Sequence, residues 1–418
     1  MSDPVIPPGA SVPIETDRGN MLAAFSEPGF RLFWGGALIS NIGSWMQNVA
    51  QGWLVLELTD SAFMLGLVGF VSTIPMLILL LLGGVIADRV DRRRLLLVTM
   101  TGMMVFAGAL AVLTWQGVVT IWHIVMLSFL SGCGIALAAP AYQAFVHDLV
   151  GKRHLQNAIA LNSAQFNLSR VVGPSLAGIV VVPIGLAGCF GLNAVSFLAA
   201  IATLFLIRVG ARPVFATAPV WQSLLEGVTY VRQHRRVRVL LLLTSLVSIL
   251  AMPYSTLLPI IARDVLGLDA SGLGYLYAIG GLGAVAGALS LTVRRLFRRR
   301  GVFLLAMVTT TGLATATLGL ANTLVVAVIA LVVISFAATS SIALMNTLLQ
   351  ELVDDEKRGR VLSMYGLAFM GTFPIGNLLA GTIARYSSAS TTLAVTGAVL
   401  AASGVYIAAT RPRVRAIA

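Results

Sequence analysis

The sequence predicts an all-α membrane protein of twelve transmembrane helices, built as two parallel six-helix repeats. Three observations predict it. The 418-residue chain is 58% hydrophobic and 11% charged, with a mean hydropathy of +0.92, which would leave a water-soluble chain too little polar surface to cover itself. Its apolar residues gather into twelve stretches, each near the ~20 residues a helix needs to cross the hydrocarbon core. Of its 28 Lys and Arg residues, 25 fall in one alternating set of gaps between those stretches, the charge pattern of a polytopic protein with those gaps inside.

The first six spans are read at roughly 33–56, 63–86, 95–116, 122–146, 158–182 and 186–207. The second six are read at roughly 239–262, 272–293, 302–320, 324–349, 361–384 and 390–409. This divides the chain into a cytosolic tail (1–30), a six-helix bundle (31–207), a cytoplasmic linker (208–238), a second bundle (239–410) and a short cytosolic tail (411–418). The first 28 residues carry Pro, Asp and Glu and no short apolar core, so they read as a tail and not a cleaved leader. In the linker, Leu224, Leu225, Val228 and Val231 recur at helical spacing between charges, which predicts a helix over Trp221–Arg238 lying along the membrane surface. Trp53, Trp115 and Trp122 are expected at the outer interface and Trp34 at the inner one.

The basic gaps run from Arg18 and Arg31 through Arg89 and Arg92–Arg94 to the C-terminal Arg411, Arg413 and Arg415, so both termini are expected in the cytoplasm. Only Arg263 and Arg385 sit in the intervening gaps, and Arg170 alone lies inside a span. The formal charge of +12 therefore reports anionic lipid and insertion topology, not nucleic-acid binding. Cys133 and Cys189 lie in spans without a CxxC pattern or neighbouring His, so no metal and no cofactor is expected. The bilayer is the partner the composition demands.

An offset of 203 residues places Asp148 on Glu351, Gly173 on Gly376, Ala177-Gly178 on Ala380-Gly381 and Gly84 on Gly287. The same register lays basic loop on basic loop, which predicts a parallel repeat. Parallel halves imply a carrier with its binding site between them near the midplane.

After the second span the chain reads Gly84-Val-Ile-Ala-Asp88-Arg89-Val-Asp91-Arg92-Arg93-Arg94. This resembles the loop 2–3 signature of the major facilitator superfamily, with Asp91 where a second glycine is usual. In the fifth span, Arg170-Val-Val-Gly173-Pro174-Ser-Leu-Ala177-Gly178 resembles part of the GP-containing motif of the superfamily's exporters. The segments 157–178 and 39–51 are similar to the bacterial branch of siderophore exporters and drug-efflux proteins. The resemblance implies the major facilitator fold, residence in a bacterial inner membrane, and proton-driven export of a small amphipathic molecule, siderophore-like or drug-like. It also implies a cytoplasmic latch in which Asp88 meets the eleventh span near Val361. The 26:2 excess of Arg over Lys fits a GC-rich bacterial genome.

Residue by residue, the inner gate is expected at Gly84, Asp88, Arg89 and Arg92, with ion pairs from Asp148 and Glu351 to cations such as Arg153 and Arg358. Arg170 costs a few kcal/mol inside the bilayer unless it meets water or a partner, so it is expected to face the cavity or the seam between halves. On it either a fixed charge for an anionic cargo or a structural bond remains open. Asn41, Ser44, Asn48 and Gln51 share about 80° of the first span, a polar stripe expected to wall a cavity with Gln143, Asn167, Thr339 and Asn346. Trp45, Tyr142, Tyr254, Tyr365 and Phe369 offer aromatic contacts. Glu57 and Arg263 end the first and seventh spans and are expected to pair as an outer gate.

None of the 16 acidic residues falls mid-span, so a coupled proton would use a peripheral carboxylate or His147. No GxxxxGK[ST] and no HExxH occurs, which excludes the sequence marks of an ATP-driven pump and of a zinc protease. Gly173-Pro-Ser175-Leu-Ala177 imitates a nucleophile elbow but sits in a span without a companion His, so no enzyme is expected. A lipid or precursor flippase and an uptake carrier are the alternatives within transport.

Overall fold

The computed structural model describes residues 22–207, 220–290 and 299–416, and side chains within them except at 80–89, 220–225, 355–356 and 413. A 3-10 turn at Ala23–Ser26 leads into α1 (Pro28–Thr59), α2 (Ala62–Arg89) and α3 (Arg92–Trp115). Helix then runs from Ile121 to Leu206, 86 residues. At 1.5 Å per residue this is about 130 Å, four bilayer cores, and cannot be one span. Gly151 (φ 64°) and Gly185 (φ 68°) break it, in a backbone region that strains any residue with a Cβ. The result is α4 (121–150), α5 (152–184) and α6 (186–206).

A separate helix, α7 (Val220–Gln233), precedes α8 (Arg235–Val265), α9 (Ala270–Ser290), α10 (Arg300–Gly319), α11 (Leu324–Leu352), α12 (Lys357–Tyr386) and α13 (Ala389–Thr410). With α7 set aside, the described residues form twelve long helices. The predicted surface helix over Trp221–Arg238 is corrected: it ends at Gln233, His234 breaks it (φ −104°, ψ 96°), and Arg235–Arg238 already belong to the seventh span. Glu226 bonds Arg360 at 2.5 Å and Gly227 packs on Met364, so α7 docks on the start of α12.

Local chemistry sets the helix ends. Pro28 supplies the fixed φ and the missing N–H that suit a first turn. Asp60 stops α1 in the left-handed conformation (φ 48°). Asp91 caps α3 by accepting the Arg94 backbone N–H at 2.8 Å, which gives a physical role to the residue that replaces the usual glycine.

The repeat is visible in packing. A Cβ on Gly173 would stand 2.5 Å from Trp45 Cβ and 3.2 Å from the Met46 nitrogen; one on Gly376 would stand 2.9 Å from Ile249 Cα. Gly173/Gly376 and Met46/Ile249 are both 203 residues apart, so α5 lies on α1 as α12 lies on α8. Gly66 faces Asn377 and Gly381, and Gly274 faces Pro174 and Gly178. These mates are 208 apart, as are Arg92 and Arg300, which pair with Asp148 and Glu351. The second and third spans of each half therefore follow a register of 208, and the sequence match of Gly84 to Gly287 is overturned.

The outward surface is apolar around the bundle, with Trp115 80%, Val182 74%, Val98 70% and Trp122 65% exposed. Only a lipid solvent accommodates such continuous exposure. Trp53, in contrast to its expected interfacial place, is buried and donates its indole N–H to Glu57 at 2.6 Å.

Candidate functional site

Where the two halves meet, the helices enclose a chamber of about 410 Å³, lined among others by Trp45, Phe166, Arg170, Tyr254, Tyr277, Phe369 and Phe373. A second chamber of about 280 Å³ shares Trp45, Ser72, Thr73, Ser255, Tyr277 and Phe373 with it and adds Asn48, Gln51 and Asn377. Among the described residues, Arg170 is the one charged side chain in either lining, and neither lining holds a carboxylate or a histidine.

Arg170 is placed from both halves. On α5, its guanidinium lies 5.9 Å from the Trp45 ring centroid and donates to the Tyr254 hydroxyl of α8 at 3.5 Å. Tyr254 in turn shares a 3.1 Å hydrogen bond with buried Ser335 of α11, and Phe166 stands edge-on to Trp45 at 5.7 Å. Cation–π contact contributes about 0.5–2 kcal/mol, rising with desolvation. The 3.5 Å bond is at the long limit, so the guanidinium keeps unused donor capacity toward the chamber.

Two helices deform to line it. α8 breaks at Ala251–Pro253 before resuming at Tyr254, and α12 takes a π turn at Leu367–Gly371. A π turn leaves carbonyls without their usual partners; here Ser248 donates to the Phe369 carbonyl at 2.6 Å and Ser245 to that of Ala368 at 3.1 Å. Tyr277 donates to the Ser255 carbonyl beside the break in α8.

Of the expected cavity residues, Asn48, Gln51 and Arg170 line the chambers, with Trp45, Tyr254 and Phe369. The others lie off them. Asn41 donates to Gln165 at 3.5 Å, Ser44 to the Ser40 carbonyl, and Asn167 to the Ser163 carbonyl. Asn346 accepts from Gln350 at 2.5 Å, Thr339 is half-buried, and Gln143 is exposed. Sequence reasoning missed Gln165, which is 2% exposed and donates to the Trp34 carbonyl at 2.6 Å, and Asn377, which accepts from Thr256 at 2.8 Å. An amide inside an apolar span is the signal that could have found both.

The seam has two unlike ends. At the face opposite the basic loops, Gly66 fits against Gly381 and Gly178 against Gly274, and Arg263 of α8 pairs across the seam with Asp60 of α1 and locally with Asp264 at 2.6 Å. Arg385 of α12 lies 5.6 Å from the Phe63 ring of α2. The expected Glu57–Arg263 pair is therefore corrected to Asp60–Arg263. Glu57, one turn earlier, is turned onto Trp53, whereas the left-handed cap aims Asp60 at α8.

At the basic face, Arg92 meets Asp148 at 2.6 Å and Arg300 meets Glu351 at 2.5 Å. Each of these two pairs lies within one half. Arg153, expected to serve Asp148, is exposed beyond the Gly151 break, and Arg358 donates to the Gln350 carbonyl at 3.1 Å. The side chains of Gly84, Asp88 and Arg89, and with them the latch near Val361, lie outside the described residues. The glycines of the fifth-span motif, Gly173 and Gly178, are contact surfaces for α1 and α9, and Pro174 lines the larger chamber.

The family model described as transmembrane secretion effector matches residues 19–417. The chain belongs to this family of the major facilitator superfamily. It is a multi-pass membrane transporter and not an enzyme. The chain is 24% identical over 84% of its length to the staphyloferrin A transporter of Staphylococcus aureus, covering 88% of that protein. It is 25% identical to the multidrug efflux pump Tap of Mycolicibacterium fortuitum, over 83% of this chain and 87% of that one. It is 26% identical to the enterobactin exporter of Escherichia coli O81, over 87% and 86%. A bacterial homologue of the lysosomal transporter Spinster, crystallised inward-facing and unoccupied, superposes with a TM-score of 0.69 at 15% identity, over 97% and 99% of the two chains; this shows the common fold.

Proposed function

We propose that this transporter exports a small amphipathic molecule, siderophore-like or drug-like, across a bacterial inner membrane by alternating access, using the proton gradient. The observation that carries the reading is the pair of chambers at the seam: aromatic walls and one cation, reached from both halves. Apolar rings take up the body of an amphipathic guest, and a few polar groups fix its orientation. The names of the siderophore and drug transporters among its relatives support the cargo class. The basic face is assigned to the cytoplasm, with both termini on it. Arg170 holds both halves through Tyr254, and an anionic cargo group replaces that long bond with a shorter charge-assisted one. With no carboxylate or histidine among the described residues of either lining, we assign the proton to a carrier outside the chambers, His147 and Asp148 at the basic end of α4.

The test is proton release from acidified everted vesicles, read as dequenching of a pH-gradient dye on adding catecholates or lipophilic cations. Catecholate-triggered dequenching that falls at least tenfold in Arg170→Ala is expected. Cargo uptake that continues after the gradient is collapsed would remove the proton from the proposal, and dequenching by cations that survives the substitution would remove the anion.

A further inference from the structure

We propose that the depression on the basic face, where α8 begins and α13 ends, is a binding site for the headgroup of an anionic phospholipid. Its volume is about 620 Å³, and Gln233, His234, Arg235, Arg236, Thr410 and Arg411 contribute to its walls. Among the described residues no carboxylate lines it. Two segments some 175 residues apart in the chain are thus folded together so that three guanidinium groups share one hollow. Like charges at close range repel, so the arrangement favours an anion between them.

The contrast with the other arginines of the same face carries the point. Arg92, Arg300 and Arg360 each bond a carboxylate, at 2.6, 2.5 and 2.5 Å. Among the described residues Arg235, Arg236 and Arg411 have no such partner. Insertion topology alone needs charges near the span ends, paired or not; it gives no reason for three unpaired ones to converge on a concavity.

A lipid, and not free phosphate, is the occupant because apolar wall continues from the hollow into the bilayer. Leu242 on α8 is 53% exposed, and Val405 and Tyr406 on α13 are 56% and 63% exposed. At 1.5 Å per residue these stand about 8–9 Å beyond Arg236 and Arg411 along their helices, the level at which acyl chains leave a headgroup held by the arginines. Basic pockets between spans on the cytoplasmic side are suited to such headgroups, and the guanidinium fork matches a phosphodiester.

The experiment is thermal melting of the purified full chain in detergent, titrated with phosphatidylglycerol, phosphatidylcholine or inorganic phosphate. The variants are Arg235→Gln/Arg236→Gln/Arg411→Gln, the control Arg31→Gln/Arg94→Gln/Lys152→Gln, and the single change Arg236→Gln at an exposed position, should the triple not fold. Phosphatidylglycerol is expected to raise the midpoint saturably in the wild type and the control. The half-saturating concentration should rise at least tenfold in the triple variant and at least threefold in Arg236→Gln. Equal stabilisation by phosphatidylcholine, an undiminished response in the site variants, or an equal loss in the control would each overturn the site. Stabilisation by inorganic phosphate at the same concentrations would leave an anion site and overturn the lipid.

Discussion

Arg263 on α8 reaches across the seam to Asp60 on α1, whereas Arg92 and Arg300 on the basic face each bond a carboxylate of their own half. At the far face Arg385 also crosses, to Phe63. Charge there ties the halves to each other; at the basic face the Arg92–Asp148 and Arg300–Glu351 pairs each tie a half to itself. Parting the basic ends leaves both of those pairs intact. Parting the far ends unseats Gly66 from Gly381 and Gly178 from Gly274 and separates Arg263 from Asp60. The carboxylate of Asp60 is 79% exposed, and exposed pairs contribute about 0–1 kcal/mol. Close backbone packing, and not charge, therefore sets most of the cost of opening the far face.

The comparison breaks most readily at Gly274, where a Cβ would lie 2.6 Å from the Pro174 carbonyl and 2.8 Å from the Gly178 nitrogen. Gly274→Leu is expected to hold the far face open while each half keeps its own core. Transport should fall more than tenfold, and a cysteine placed at buried Val68 should gain at least tenfold in reactivity toward an impermeant maleimide. Unchanged reactivity would show that the seam closes without these glycines.

The basic-face pair gives the next effect, in a different quantity. The Asp148 side chain is 8% exposed, and Asp148→Asn leaves Arg92 beside a weakened partner. It should lower stability by about 1–3 kcal/mol, seen as a lower melting midpoint, with Val68 labelling unmoved. A smaller change separates the two far-face acids. Arg263→Ala should raise Val68 labelling by at most about fivefold, the most that 1 kcal/mol allows, and Glu57→Gln should not raise it. A response to Glu57→Gln would restore the pairing expected from sequence.

The smallest effect is at the start of α9. Asp269 accepts from the Ser271 hydroxyl at 2.6 Å and the Gly272 N–H at 2.9 Å, and these bonds hold its carboxyl below the usual range. A depressed folded-state value means the stabilisation is present above the unfolded value, near pH 4, and is lost as pH falls through the folded one. It should amount to about 1 kcal/mol or less, as helix caps do at exposed ends. Asp269→Asn should flatten the melting midpoint between about pH 5 and 3, read against the wild type.

The spans, the repeat and Arg170 were legible because each is a pattern in one dimension: apolar length, periodic spacing, a charge where charge is costly. The same holds for a feature whose meaning emerged only in three dimensions. The three cations outside the basic gaps, Arg170, Arg263 and Arg385, each contact the opposite half. What insertion did not require, the seam uses. The Asp60–Glu57 error has a different origin, since it hinged on a left-handed aspartate that no periodicity announces. Gln165 escaped because its partners come from other helices, Trp34 and Asn41 on α1 and Tyr142 on α4.

The change of register between the halves, from 203 to 208 and back, falls in two places: the far end of α8 with its connection, relative to α1 with its own, and the far end of α10 with its connection, relative to α3 with its own. Both are hairpins of the far face. The connection itself grows by two residues in the first place (60–61 against 266–269) and shrinks by one in the second (116–120 against 320–323), the ends of α8 and α10 taking up the rest, while the helices between kept their mates. Those two hairpins are thus the sites already shown by the molecule's own duplication to tolerate added length, and an epitope or fluorescent tag placed near Gly267 or Gly117 should leave the bundle assembled.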